Sequence, residues 1–176
     1  VLIQVDASEN TAAWGLARQK IVELILLPQA RYCAKSRQWY KRYIACMAFQ
    51  LYMEKSDEKW VQSLINDAIP LVSINASIIA MRCQSQMMMD TVIDLFSRKR
   101  RVQQSLYAQI IAVAEPSIVL MISNRLAREK DPYVKAFCYR VLTDLLPASE
   151  PQDTIKADLG DDNLDLKLAA LTYLTQ

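Results

Sequence analysis

With 176 residues, 52% hydrophobic and 23% charged, the chain has the balance of a folded protein with a sizeable core rather than a disordered one. A net charge of +2 is too small for a dedicated nucleic-acid binder, which carries a strongly basic face. Two glycines leave little material for phosphate-cradling loops or hairpin turns, and without histidine no Ser-His or Cys-His catalytic pair can form. The chain therefore reads as all-α and non-enzymatic, with no cofactor and no metal. Its four cysteines, Cys33, Cys46, Cys83 and Cys138, are too scattered for a zinc site. Each falls in an apolar helical pattern and is expected to be a small buried hydrophobe in a reducing compartment.

In chain order, Val1 to Val5 is short, apolar and unplaced. A helix is expected from Asp6 or Ser8, with Glu9 near the positive end of its dipole and Trp14, Ala17, Ile21, Leu24 and Ile25 as its inner stripe. Pro28 should end or kink it, leaving 29–35 as a second short helix. Helix 37–54 is given Tyr40, Tyr43, Ile44, Met47 and Leu51 on its inner face. Its partner, 57–66, has Asp57 as cap and Trp60, Val61, Leu64 and Ile65 inward. Helices 69–83 (Leu71, Val72, Ile74, Ile78, Ile79) and 86–96 (Met88, Met89, Val92, Ile93, Phe96) follow. Next come 100–114 (Val102, Leu106, Ile110, Val113) and 116–129 (Val119, Leu120, Ile122, Leu126), with Pro116 at a first turn. The clearest signal is 132–146, where Asp131 caps, Pro132 takes the first helical position, and Val134, Phe137, Cys138, Val141, Leu142 and Leu145 form one stripe. A short helix at 151–159 and a last one at 162–175 (Leu164, Leu166, Leu168, Leu171, Leu174) close the chain.

The openings recur. Ser36, Asp67, Arg98, Asp131 and Asp161 start successive units at a period of about 32, and Ala45, Ala76, Ala108, Ala136 and Ala169 follow within them. Each unit would be a pair of helices that buries its apolar face against its neighbours. Two stretches carry a closer likeness: Asp131-Pro-Tyr-Val-Lys-Ala-Phe-Cys-Tyr-Arg-Val-Leu and Asp162-Asn-Leu-Asp-Leu-Lys-Leu-Ala-Ala-Leu-Thr-Tyr-Leu, with a looser copy from Asp67. Over residues 36–176 the chain resembles HEAT and HEAT-like repeat proteins, whose pattern is an acidic turn, a nearby proline, valine, a basic residue, alanines and leucine. Lys135 and Lys167 hold the basic position; Ser73 departs from it, and Arg98 to Arg101 replace the acidic turn of the third unit. The resemblance implies an α-solenoid of antiparallel helix pairs, about four to five repeats of ~32 residues. Residues 1–35 would form an atypical N-terminal cap on a single repeat domain, 1–176. A chain that opens on Val1 is expected to be a fragment of a longer one.

The resemblance further implies a scaffold that binds another protein along its concave face. The candidate contact residues lie opposite the apolar stripes of the second helices: Lys59, Gln62, Asn66, Asp90, Asp94, Asn124, Arg125 and Arg128. Arg98, Lys99, Arg100 and Arg101 form the sharpest local feature, able to meet an acidic protein segment, phosphates or lipid headgroups. They also support an alternative, a nucleic-acid-binding HEAT-like protein. The mixture of Arg37, Lys41 and Arg42 with Trp39, Tyr40 and Tyr43 is read as core aromatics with wet basic neighbours. Residues 1–104 carry fourteen basic and nine acidic groups, net +5; residues 105–176 carry seven and ten, net −3. No run of eighteen apolar residues exists to span a membrane. A cytoplasmic location is therefore expected; a further alternative is the soluble part of a bacterial HEAT-like protein anchored by an upstream segment.

Overall fold

A computed structural model describes residues 12–114, 118–145 and 153–175, and within them every regular element is helical. The expected helix start at Asp6 or Ser8, the Pro116 turn and Leu146 lie outside the described residues, as do the side chains of Trp14, Val102 and Val113. Two compact units divide between Asn75 and Ala76.

In the first unit, α1 (Ala12–Ile21) passes through a π-turn (Val22–Leu26) directly into α2 (Leu27–Ala34). Pro28 therefore does not end the helix. Its ring would collide with a carbonyl four residues back in a regular helix, and it has no N–H to donate. The turn before it widens instead, with the Leu27 amide donating to the Val22 carbonyl five residues back. The extra residue also resets the inner face. Val22, Leu27, Ala30 and Ala34 are buried, whereas Ala17, Leu24 and Ile25, expected inside, are exposed.

Helix α3 (Trp39–Leu51) packs on α2, and α4 (Glu58–Ile65) packs on both. The inner face of α3 is Ala45, Cys46, Ala48 and Phe49, while Tyr40, Ile44, Met47 and Leu51 face solvent. The inner stripe expected for this helix is thus its outer one. Both sides of α3 are apolar at helical spacing, so period alone does not choose; the side that went in sets Phe49 among Ala45, Cys46 and Ala48, whose small side chains let neighbouring axes approach. The α4 stripe lies as expected, with Val61, Leu64 and Ile65 buried and Trp60 half-buried. Asp57 does not cap α4. It is fully buried at the end of a short 3₁₀ turn (Lys55–Asp57), accepting from the Glu54 amide at 3.2 Å and from Arg31 Nε at 2.5 Å.

Helix α5 (Pro70–Arg82) opens after Asp67, whose Oδ1 accepts from the Ile69 amide at 2.9 Å. Three contacts lay α3 beside this opening: Arg42 on Asp67, the Cys46 thiol on the Val72 carbonyl at 3.7 Å, and Gln50 on Asn75 at 3.2 Å. Leu71 is exposed, against expectation; Val72, Ala76, Ile79, Ala80 and Met81 are buried.

The second unit holds α6 (Gln86–Ser97), α7 (Arg101–Ala114), α8 (Val119–Arg128), α9 (Pro132–Leu145), α10 (Asp153–Leu159) and α11 (Leu164–Leu174). Helix α9 packs against α6, α7, α8 and α11. Its first turn forms as expected, with Asp131 Oδ1 accepting from the Tyr133 amide at 2.9 Å and Pro132 at the first helical position. Val134, Phe137, Cys138, Val141 and Leu142 are buried, joined by Ala136 and Tyr139. The five expected α6 residues are buried as well, and Phe96 stacks on Tyr107 of α7 at 4.1 Å.

Elsewhere the large residues again turn outward. Leu106 of α7, Leu120 of α8, and Leu164, Leu168 and Leu171 of α11 are exposed. Their helices bury Gln104, Ala108 and Ile111; Met121 and Ile122; and Leu166, Ala169, Ala170 and Tyr173. Asn163 caps α11, its side-chain oxygen accepting from the Leu166 amide at 3.0 Å.

Candidate functional site

Asp90 and Asp94 lie one turn apart on α6, so their carboxylates share a face. Across from them α8 presents Arg125, Arg128 and Glu129 from its last turn and the residue beyond. Arg125 Nη2 donates to Asp94 Oδ1 at 2.6 Å and to Glu129 Oε2 at 2.6 Å, with Asp90 a further 3.6 Å contact. Arg128 pairs with Asp90, which also accepts from Gln86 Nε2 at 3.0 Å. The other Glu129 oxygen accepts from the amides of Lys130 and Asp131, at 2.7 and 2.9 Å, and so holds the turn into α9. Burial would lower the pKa of Arg125, but Glu129 and Asp94 raise it further, so the guanidinium stays charged. Burial likewise pulls Glu129 up, and the Asp131 amide and Arg125 bring it below its ordinary value.

Asp90, Asp94 and Arg125, expected to be open to a partner, pair with one another and tie α6 to α8; Arg125 and Asp90 are largely covered, while Asp94 stays 44% exposed. Of the α8 candidates, Asn124 is exposed and Arg128 is half-exposed beside Asp90. On α4, Lys59 is exposed with its ammonium 5.2 Å from the Trp60 ring, Gln62 is half-buried, and Asn66 is exposed, donating to the Gln62 carbonyl at 3.1 Å.

The basic run occupies the α6–α7 turn. Arg98, Lys99 and Arg100 are exposed, and Arg101, at the start of α7, reaches only a 3.5 Å contact with Asp165. Gln104 lies beneath them, 7% exposed, donating to the carbonyls of Ser97 at 2.6 Å and Lys99 at 2.8 Å. Its own oxygen accepts from Arg140, which donates in turn to Asp165 at 2.6 Å. This chain, Gln104–Arg140–Asp165, was not anticipated; its members lie on three helices, and no local pattern joins them. A cleft of about 630 Å³ opens beside the turn, walled by Asp94, Arg98, Lys99, Arg125, Glu129 and Tyr133 among others. A smaller groove of about 290 Å³ runs over Arg101, Ser105, Arg140, Asp144 and Leu168.

The aromatic-basic mixture near the front is not core. Trp39 and Tyr40 are exposed at 47% and 45%, edge to face with ring centres 6.3 Å apart. Arg42 is tied down, pairing with Asp67 and donating to the carbonyls of Ser36 and Arg37 at 2.9 Å each. Burial raises the pKa of Asp67, but Arg42 and the Ile69 amide bring it below its ordinary value. Cys46 and Cys138 are buried as expected, and burial pushes both thiols up to about 12. Cys83, at the end of α5, is exposed, and Cys33 is half-buried; helix ends give less cover than helix middles.

Comparison with family models, with curated proteins and with solved structures returned no match. Among the described residues, no helix is long and apolar enough to cross a membrane.

Proposed function

We propose that the chain is a non-enzymatic scaffold of HEAT-like helical hairpins that binds another protein along the face lined by the second helix of each pair. One recurring contact supports the reading. Arg42 meets Asp67, Gln50 meets Asn75 and Arg140 meets Asp165, each partner 25 residues further along the chain. Helix pairs packed in the same way share a contact step, and here the step recurs in both units, about two helical turns short of the ~32-residue period. Asp90 and Asp94 of α6 also meet Arg125 and Arg128 of α8, at steps of 31 and 38 residues. Because those charges satisfy each other, they set the spacing of the face, and the groups left to meet a partner are Lys59, Asn124 and the free edge of Arg128.

A photo-reactive amino acid placed at Lys59 or Asn124, and separately at outward-facing Leu106 of α7, tests this in cells. A discrete heavier adduct from Lys59 or Asn124 and none from Leu106 is expected. Adducts from Leu106 alone would move binding to the other side of the helices, and no adduct at any position would end the reading.

A further inference from the structure

We infer that the cleft beside the α6–α7 turn is a docking site for an acidic peptide segment of a partner protein. The inference names a partner class for the proposed scaffold and rests on that reading. Its basis is which of the charges gathered there are engaged and which are not. The wall carries Arg98, Lys99 and Arg125 with Asp94, Glu129 and Asp131, and exposed Arg100 and Lys130 flank it. The three carboxylates are all engaged: Asp94 by Arg125, Glu129 by Arg125 and two amides, Asp131 by the Tyr133 amide. Arg98, Lys99, Arg100 and Lys130 are exposed, and among the described residues no carboxylate pairs with them. Their charge is thus left for a ligand.

The turn that carries them is held in place. The Lys99 amide donates to the Phe96 carbonyl at 3.1 Å, and buried Gln104 grips the carbonyls of Ser97 and Lys99 from below. A preset turn lowers the ordering cost of binding. The 630 Å³ of the cleft is the size of a site for a few side chains, and the exposed Tyr133 ring offers an apolar rim. The walls favour a peptide over a nucleic acid. Asp94, Glu129 and Asp131 line the cleft between the cations. A phosphate backbone, charged at every step, would meet them, whereas a peptide can set carboxylates on the cations and neutral groups between.

The test is fluorescence anisotropy with a labelled peptide alternating glutamate and alanine, against the whole chain at low salt. Saturable binding is expected, weakened roughly tenfold in R98S/K99S/R100S. Because these side chains are exposed, circular dichroism should be unchanged. K35S/R37S, which removes two positive charges from the first unit, should leave affinity unaltered, and R98E/K99E/R100E should instead bind a lysine–alanine peptide. The inference is overturned if K35S/R37S weakens binding as much as the triple variant, if a single-stranded oligonucleotide of equal charge binds more tightly, or if no peptide binds. Failure here with photo-adducts still forming at Asn124 would remove the cleft and leave the scaffold; failure of both would remove both.

Discussion

Replacing Tyr139 by phenylalanine removes one oxygen from the centre of the second unit and should cost more than its size implies. Tyr139 is fully buried, and its hydroxyl donates to Asp158 Oδ2 at 2.8 Å, while Lys135 Nζ donates to Oδ1 at 2.6 Å. Asp158 is itself 4% exposed. Burial and the adjoining carboxylate push the phenol pKa far up, so it remains a donor at any working pH. Without it, Oδ2 is left buried with no partner, and a hydrogen bond to a charged acceptor contributes about 1.5–3 kcal/mol. Because Lys135 still compensates the charge, about 2 kcal/mol is expected for Tyr139→Phe. With a urea dependence of about 2 kcal/mol/M, the unfolding midpoint should fall by about 1 M. A double-mutant cycle with Asp158→Asn should return a coupling of about 1 kcal/mol or more. A loss below about 0.5 kcal/mol, or strictly additive single changes, would show that the α9–α10 contact contributes nothing specific.

Three further outcomes follow from the same packing. Phe49→Ala should cost about 3–5 kcal/mol and Ile44→Ala within about 0.5 kcal/mol, because only Phe49 is buried; chemical denaturation giving equal losses would place α3 the other way round. With a thiol reagent, Cys83 should react in the native protein while Cys46 and Cys138 react only on unfolding, and uniform labelling would contradict their burial. Asp67 has a folded-state pKa below its ordinary 3.8, so the stability it contributes is present above that value and is lost as pH falls through the folded one. Urea titrations between neutral and acid pH should therefore show a shallower decline for Asp67→Asn than for the unaltered chain; parallel curves would remove Asp67 as a linked group.

How far the fold was legible depended on whether a helix has one apolar side or two. On α9 and α6 the apolar positions form a single stripe, and Val134, Phe137 and Val141, like Met88, Val92 and Phe96, are buried where the spacing put them. On α3, α7 and α11 small residues occupy a second stripe opposite the leucines and isoleucines. The buried side mixes those small residues with Phe49, Ile111, Leu166 and Tyr173, so both sides offered apolar area and spacing alone could not choose between them. The π-turn before Pro28 was equally hidden, since one inserted residue changes the buried face without changing composition. At the site, the one-turn spacing of Asp90 and Asp94 was visible, but the arginines that neutralise them come from another helix, 31 residues from Asp94 to Arg125. Nothing in the spacing of α7 singles out Gln104. Only the carbonyls of Ser97 and Lys99, brought over it by the turn, make it the support for the basic run.

The proposed stack of hairpins requires neighbouring helices to lend each other their inner surfaces in sequence, rather than sharing one common centre. Native-state hydrogen exchange on Tyr173→Ala, read helix by helix in the second unit, tests it. Tyr173 is buried in α11, with its ring 5.8 Å from that of Tyr139. A stack predicts loss of protection in α11, a smaller loss in α9 and α10, and α6 and α8 almost unchanged, because coupling passes only between neighbours. An equal loss across all six helices would show a single cooperative core and contradict the stacked reading.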